Sequence, residues 1–180
     1  MTTVRLLGLV LAAVALFGCA TTKDGMQGGA GGFVTNMDCP DPPVTDIPGH
    51  CGLGNCPIQV QVSTNPSDGK CEVLVGVSTV RIDRGNKPDI IWLLPQQSNW
   101  EFRAESGPYT LPINFKDQTD PDLKTQIGPA YVYSNGAKVR VSDANGKPNQ
   151  SFAYKIRVYK RNGNDAPLES KDPVIFNEGP

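Results

Sequence analysis

Ser151-Phe152-Ala153-Tyr154-Lys155-Ile156-Arg157-Val158 alternates large apolar residues with polar or small ones without a break. In an extended strand, successive side chains point to opposite sides. A period of two therefore gathers Phe152, Tyr154, Ile156 and Val158 on one buried face. Moving outward, the same signature recurs. Val174 to Phe176 forms a short last strand. Val139 and Val141 alternate, as do Tyr131 and Tyr133. Leu111, Ile113 and Phe115 share a face, and so do Trp100, Phe102 and Ala104. Residues 90–94 are apolar and branched enough for a buried strand, and Val80 and Ile82 continue the pattern.

The clearest local pairing lies further upstream. Ile58-Gln59-Val60-Gln61-Val62 alternates, Asn65-Pro66-Ser67-Asp68-Gly69 is dense in turn residues, and Val73, Val75 and Val77 alternate again. That order predicts a β-hairpin. Asn145-Gly146, between the Val139 and Phe152 strands, is a second hairpin signal. No stretch has a sustained helical period. Residues 119–126 are expected to form one helical turn, with Pro121 tolerated near its start. About seven or eight strands separated by Gly/Pro/Asn turns indicate an all-β, antiparallel β-sandwich over residues 57–180.

The residues before the sandwich divide into three. Residues 37–56 hold Cys39, Cys51 and Cys56, four prolines and the sole histidine, His50, and read as a disulfide-rich irregular segment. The predicted hairpin limits the pairing with Cys71. Cys56 and Cys71 fall at opposite ends of it, roughly 23 Å apart at about 3.3 Å per residue. A disulfide needs Cα atoms within about 7 Å. Cys71 is therefore expected to bond Cys39 or Cys51, leaving Cys51–Cys56 or Cys39–Cys56; both arrangements stay open.

Residues 19–36 carry Gly25, Gly28, Gly29, Gly31 and Gly32 and read as a flexible tether with a typical span of roughly 20–25 Å. Residues 1–18 combine one basic residue, Arg5, with an apolar run from Leu6 to Phe17. That run is too short to span a bilayer, which takes roughly 20 apolar residues, and reads as a secretory signal peptide. Leu16-Phe17-Gly18-Cys19 resembles the lipobox of bacterial lipoproteins, although Phe17 is larger than usual there. The alternative is ordinary cleavage after Ala13-Val14-Ala15. Five cysteines are an odd number for an exported chain, and lipidation of Cys19 leaves four to pair. With Ala20 and Thr21 after the cysteine, the resemblance implies the outer membrane, the domain facing the periplasm.

Three pieces of the C-terminal half carry a wider likeness: Ile91-Trp92-Leu93-Leu94-Pro95, residues 151–158, and Asp172-Pro173-Val174-Ile175-Phe176-Asn177. Over about residues 72–180 the chain resembles a loose group of small, mostly uncharacterised exported bacterial proteins with immunoglobulin-like or cupredoxin-like sandwiches. The resemblance implies a fold and no activity, because a sandwich hosts many functions.

Composition and motifs exclude several functions. A formal charge of −1 gives no electrostatic footprint for nucleic acid. Blue copper needs two His and one Cys, and the chain has one His. Cys39, His50, Cys51 and Cys56 have the ligand types of a zinc site, but an oxidising compartment favours disulfides. Asp117, Asp120 and Asp122 gather around Pro121 and are candidate calcium ligands, with a solvated acidic loop as the plain reading. A nucleophile–base–acid set is not apparent, because the one candidate base, His50, has no nucleophile motif beside it. Asn149-Gln150-Ser151 matches a glycosylation acceptor by chance. Trp92, Trp100, Tyr109, Tyr131 and Tyr133 are expected chiefly to fill the core. If exposed, Tyr131 and Tyr133 are a candidate binding pair for a sugar or a protein.

These readings converge on a non-enzymatic, membrane-tethered periplasmic module, with no cofactor, that binds an envelope protein or polymer. The rival expectations are a small calcium- or zinc-dependent envelope enzyme and a structural subunit of an envelope complex.

Overall fold

In the computed structural model, the described residues are 39, 50–52, 54–104 and 112–179, all within one compact unit that spans Val34–Pro180. The predicted signal peptide, Cys19, the tether and most of the cysteine-rich segment lie outside them, as do Tyr109 and Leu111. No helix among the described residues is long and apolar enough to cross a membrane.

The chain is all-β, in two sheets. One sheet contains β2 (Cys56–Thr64), β3 (Cys71–Val75), β5 (Asp89–Leu93), β8 (Tyr131–Tyr133) and β9 (Lys138–Ser142), ordered β3-β2-β5-β9-β8. The other contains β1 (His50–Cys51), β4 (Thr79–Ile82), β10 (Gln150–Lys160), β11 (Leu168–Glu169) and β12 (Val174–Asn177), ordered β1-β4-β12-β10-β11. β6 (Trp100–Glu101) and β7 (Ile113–Phe115) also pair with β10. The single helix among the described residues, α1 (Pro121–Gln126), begins with proline at its first turn, where a missing N–H costs nothing.

β10, the segment with the cleanest alternation, is the longest strand and the spine of the seven-stranded sheet. Phe152, Tyr154, Ile156 and Val158 are all buried, as the period of two requires. They face Ile58, Val60, Val62, Ile90, Trp92, Val139 and Val141 in a single hydrophobic core. Near its centre the Trp92 indole N–H donates to the Tyr154 hydroxyl at 3.2 Å, and the rings meet edge to face at 5.3 Å. Burial pushes the Tyr154 hydroxyl well above its ordinary pKa, so it stays protonated.

The predicted β2–β3 hairpin forms, with Val62 opposite Val73 and Val60 opposite Val75. Its turn is held by Asn65 N–H to Lys70 O at 2.8 Å and Gly69 N–H to Asn65 O at 2.9 Å. Gly69 has φ of +69°, a left-handed conformation that costs glycine nothing.

Two expectations need correction. The sheets are mixed rather than purely antiparallel: β1–β4, β4–β12 and β2–β5 run parallel. The chain leaves β3 for β4 in the opposite sheet and returns as β5 beside β2, and that double crossing brings the strand back in the same direction. Asn145-Gly146 does not close a hairpin, because β9 and β10 lie in different sheets. Asn145 instead adopts φ of +41° and donates its Nδ2 to Asp83 O at 2.9 Å, while Gly146 N–H donates to Gln126 Oε1, so the turn residues anchor a crossover. β1 and β11, two residues each, have too few positions for any alternation to show.

Candidate functional site

Alternate residues of the five-stranded sheet face away from the core, and at one edge they build a groove. Tyr131, Val132, Tyr133, Arg140, Asp89, Ile91 and Asn55 line a space of about 500 Å³. The register explains its chemistry. Tyr131 lies opposite Arg140 and Tyr133 opposite Lys138, while Ile91 lies on the other side of Arg140. Cross-strand neighbours on one face have Cβ atoms about 5 Å apart, close enough for cation and ring to meet. The Arg140 guanidinium sits 5.7 Å from the Tyr131 ring centre, and the Lys138 ammonium 5.9 Å from that of Tyr133. Arg140 also reaches Asp89 Oδ2 at 3.3 Å, and Asp89 Oδ1 accepts from the Ser142 hydroxyl at 2.6 Å.

The tyrosines stand out against the other rings. Tyr131 is 55% exposed and Tyr133 37% exposed, whereas Trp92, Trp100, Phe102, Phe115, Phe152, Tyr154 and Tyr159 are buried. The expectation that these two tyrosines fill the core is therefore corrected, while Trp92 and Trp100 do fill it. The rings point outward because β8 alternates exposed, half-buried, exposed, with Val132 taking the inward position. Partial burial against a cation holds an exposed ring in place and leaves hydroxyl, guanidinium and carboxylate groups at the groove floor, a mixture suited to stacking and hydrogen bonding. Lys138, Arg140 and Asp89 were not singled out by sequence. The available signal was the alternation Lys138-Val139-Arg140-Val141, which places both cations on the outward side of β9 once its valines face the core.

The three aspartates around Pro121 divide between separate tasks. Asp117 Oδ1 accepts from Thr119 Oγ1 at 2.7 Å and Thr119 N–H at 3.1 Å, and these bonds hold its pKa below the ordinary value. Asp120 caps α1 by accepting from Asp122 N–H at 2.8 Å. Asp122 bonds the Lys147 ammonium and accepts from Gln150 Nε2 at 3.1 Å; the lysine contact chiefly lowers its pKa. Among the described residues, no three His, Cys, Asp or Glu side chains converge as a metal-binding group.

Cys39 is bonded to Cys71 and Cys51 to Cys56, with Cα separations of 5.4 and 5.2 Å. This is one of the two arrangements that the hairpin left open. It also removes three of the four zinc-ligand candidates, since a disulfide sulfur has no thiolate to offer a metal.

A smaller groove of about 200 Å³ lies where β3 meets the segment after β11, lined by exposed Leu74 with Val75, Val77 and Pro173. Val73 makes a single parallel bridge to Ser170 there, so the two sheets touch along that seam.

No protein-family model matches the sequence, and no curated protein shows significant similarity to it.

Proposed function

We propose that this protein is a lipid-tethered, non-catalytic binding module of the bacterial cell envelope, and that the Tyr131/Tyr133 groove is its ligand face. The observation that carries the reading is the contrast in ring burial. Of the described large hydrophobic side chains, Leu74, Tyr131 and Tyr133 are exposed, and the two tyrosines sit side by side over cations. Exposed, oriented rings with adjoining hydrogen-bonding groups suit a polyhydroxylated polymer, whose sugar rings offer C–H faces for stacking and hydroxyls for Arg140 and Asp89. The Gly-rich stretch before the domain provides reach, and the lipobox-like Cys19 provides the anchor.

The test is cosedimentation of the detergent-solubilised, full-length protein with purified envelope polysaccharide. Replacing one tyrosine by Ala is expected to weaken binding about tenfold, which corresponds to about 1.4 kcal/mol for one ring contact. Undiminished binding by the Tyr131→Ala/Tyr133→Ala double variant would rule the groove out. The anchor is tested separately: Cys19→Ala is expected to release the protein from the membrane fraction.

A further inference from the structure

β12 presents its inward positions as Ile175 and Asn177, and both are fully buried. An asparagine in a place where the pattern calls for an aliphatic side chain needs a partner. It finds one in the opposite sheet. Asp143, the residue after β9, is 1% exposed, and its Oδ1 accepts from Asn177 Nδ2 at 3.2 Å. The same oxygen accepts from Asn145 N–H at 2.7 Å. The corner is tied further by Asp143 N–H to Pro88 O at 3.0 Å, by Asn145 Nδ2 to Asp83 O at 2.9 Å, and by Asn149 N–H to Asn177 O at 2.7 Å.

Two acceptors here are unmatched. Asp143 Oδ2 and Asn177 Oδ1 are both inaccessible, and no protein donor reaches either. Turning the Asn177 amide over does not help, because it would set its oxygen 3.2 Å from Asp143 Oδ1, acceptor against acceptor. The surrounding charges are engaged elsewhere or stay at the rim. Lys87, Asp89 and Lys124 line the groove above Asp143. Asp89 is taken up by Arg140 and Ser142, and Glu178, after β12, pairs with Arg81 at 3.5 Å. Asp83 lends its carbonyl to Asn145. None of them donates to Oδ2.

We propose that the Asp143–Asn177 pair is a protonation-dependent clasp between the two sheets, tightest when Asp143 carries a proton. One proton on Oδ2 removes an unpaired charge from the core, while Oδ1 goes on accepting from Asn145 and Asn177. When that proton leaves to solvent, a carboxylate remains buried between the sheets with two hydrogen bonds on one oxygen and none on the other. Burial raises the Asp143 pKa, and the bonds from Asn145 and Asn177 oppose the rise only in part. A raised folded-state value means that the native chain holds a proton that the unfolded chain has released. The clasp's contribution is therefore complete below the unfolded aspartate value of about 3.9 and is lost as pH climbs through the folded value.

Two measurements on the full-length protein test this. The Cγ resonance of Asp143, followed by NMR against pH, is expected to titrate above the ordinary aspartate range. Asp143→Asn mimics the protonated form, so its melting temperature is expected to match wild type near pH 4 and to exceed it by about 3–5 °C at alkaline pH. A Cγ titration at or below the ordinary aspartate value overturns the clasp, and so does a variant-to-wild-type difference that is flat with pH. If Asp143→Asn does not fold, the wild-type titration alone decides.

Discussion

The two faces of the five-stranded sheet are made by the same strands and differ in burial and charge. On the inner face, Ile90, Trp92, Val139 and Val141 are wholly buried and meet β10 across the core. On the outer face, one residue away in each case, Ile91, Arg140 and the two tyrosines line an open groove, with Lys138 against the Tyr133 ring. Aromatic rings occur on both. Inside, Trp92 contributes buried area and a satisfied N–H, so its loss costs stability. Outside, Tyr131 keeps more than half its surface in water, so its loss costs the fold little. A ring's contribution is set by the face it occupies, and the face is set by the parity of its position.

The contrast can be broken first at its strongest point. Trp92→Ala is expected to destabilise the domain by about 3–5 kcal/mol, read from urea or thermal unfolding, because it opens a cavity and removes the donor to Tyr154. A loss similar to that of an outer-face ring would deny the distinction. Removal of the Cys39–Cys71 bond by paired serine substitutions is expected to cost about 3–4 kcal/mol, the loop-closure value for a separation of 32 residues. That bond tethers the β3 edge, so a much smaller cost would mean that the inner face alone holds the sheet together. Tyr154→Phe isolates the polar part of the core and is expected to cost about 1–3 kcal/mol by leaving the Trp92 N–H unsatisfied. Tyr131→Ala and Tyr133→Ala are each expected to shift unfolding by no more than about 0.5 kcal/mol while abolishing most polymer binding. A large stability loss from either would move these rings from the proposed ligand face to the framework.

The inner face was legible because burial on one side forces a period of two, and that period is visible in Phe152, Tyr154, Ile156 and Val158 without knowledge of any partner. The β2–β3 hairpin was legible for a related reason: Asn65 to Gly69 is a local turn, and the strands it joins are adjacent. Pairing between distant strands was not. A residue such as Ile90 alternates identically whether its neighbour runs parallel or antiparallel, so the parallel β2–β5 pair left no mark in the chain. Asn145-Gly146 gave a true turn signal but carried no information about which sheet the next strand joins. The groove was half legible. Tyr131 and Tyr133 were visible as a pair sharing one side, but their side became fixed only by Val132 facing inward and by Arg140 and Lys138 arriving from β9. Asp143 and Asn177 were invisible as a pair, since 34 residues separate them and each looks like an ordinary loop or edge residue.

β12 lies between β4 and β10, hydrogen-bonded to both, yet it follows β4 in the chain by some ninety residues. As the polypeptide emerges from a ribosome, β4 and β10 therefore wait with open edges until residues 174–177 arrive. Folding cannot proceed strand by strand; the last insertion joins the β1–β4 part of the seven-stranded sheet to the part built on β10. Such a late, non-local closure is intrinsically slow and leaves the nascent chain open to edge-to-edge association. Premature termination before residue 174 would yield a chain with no route to the native sheet rather than a slightly shortened domain.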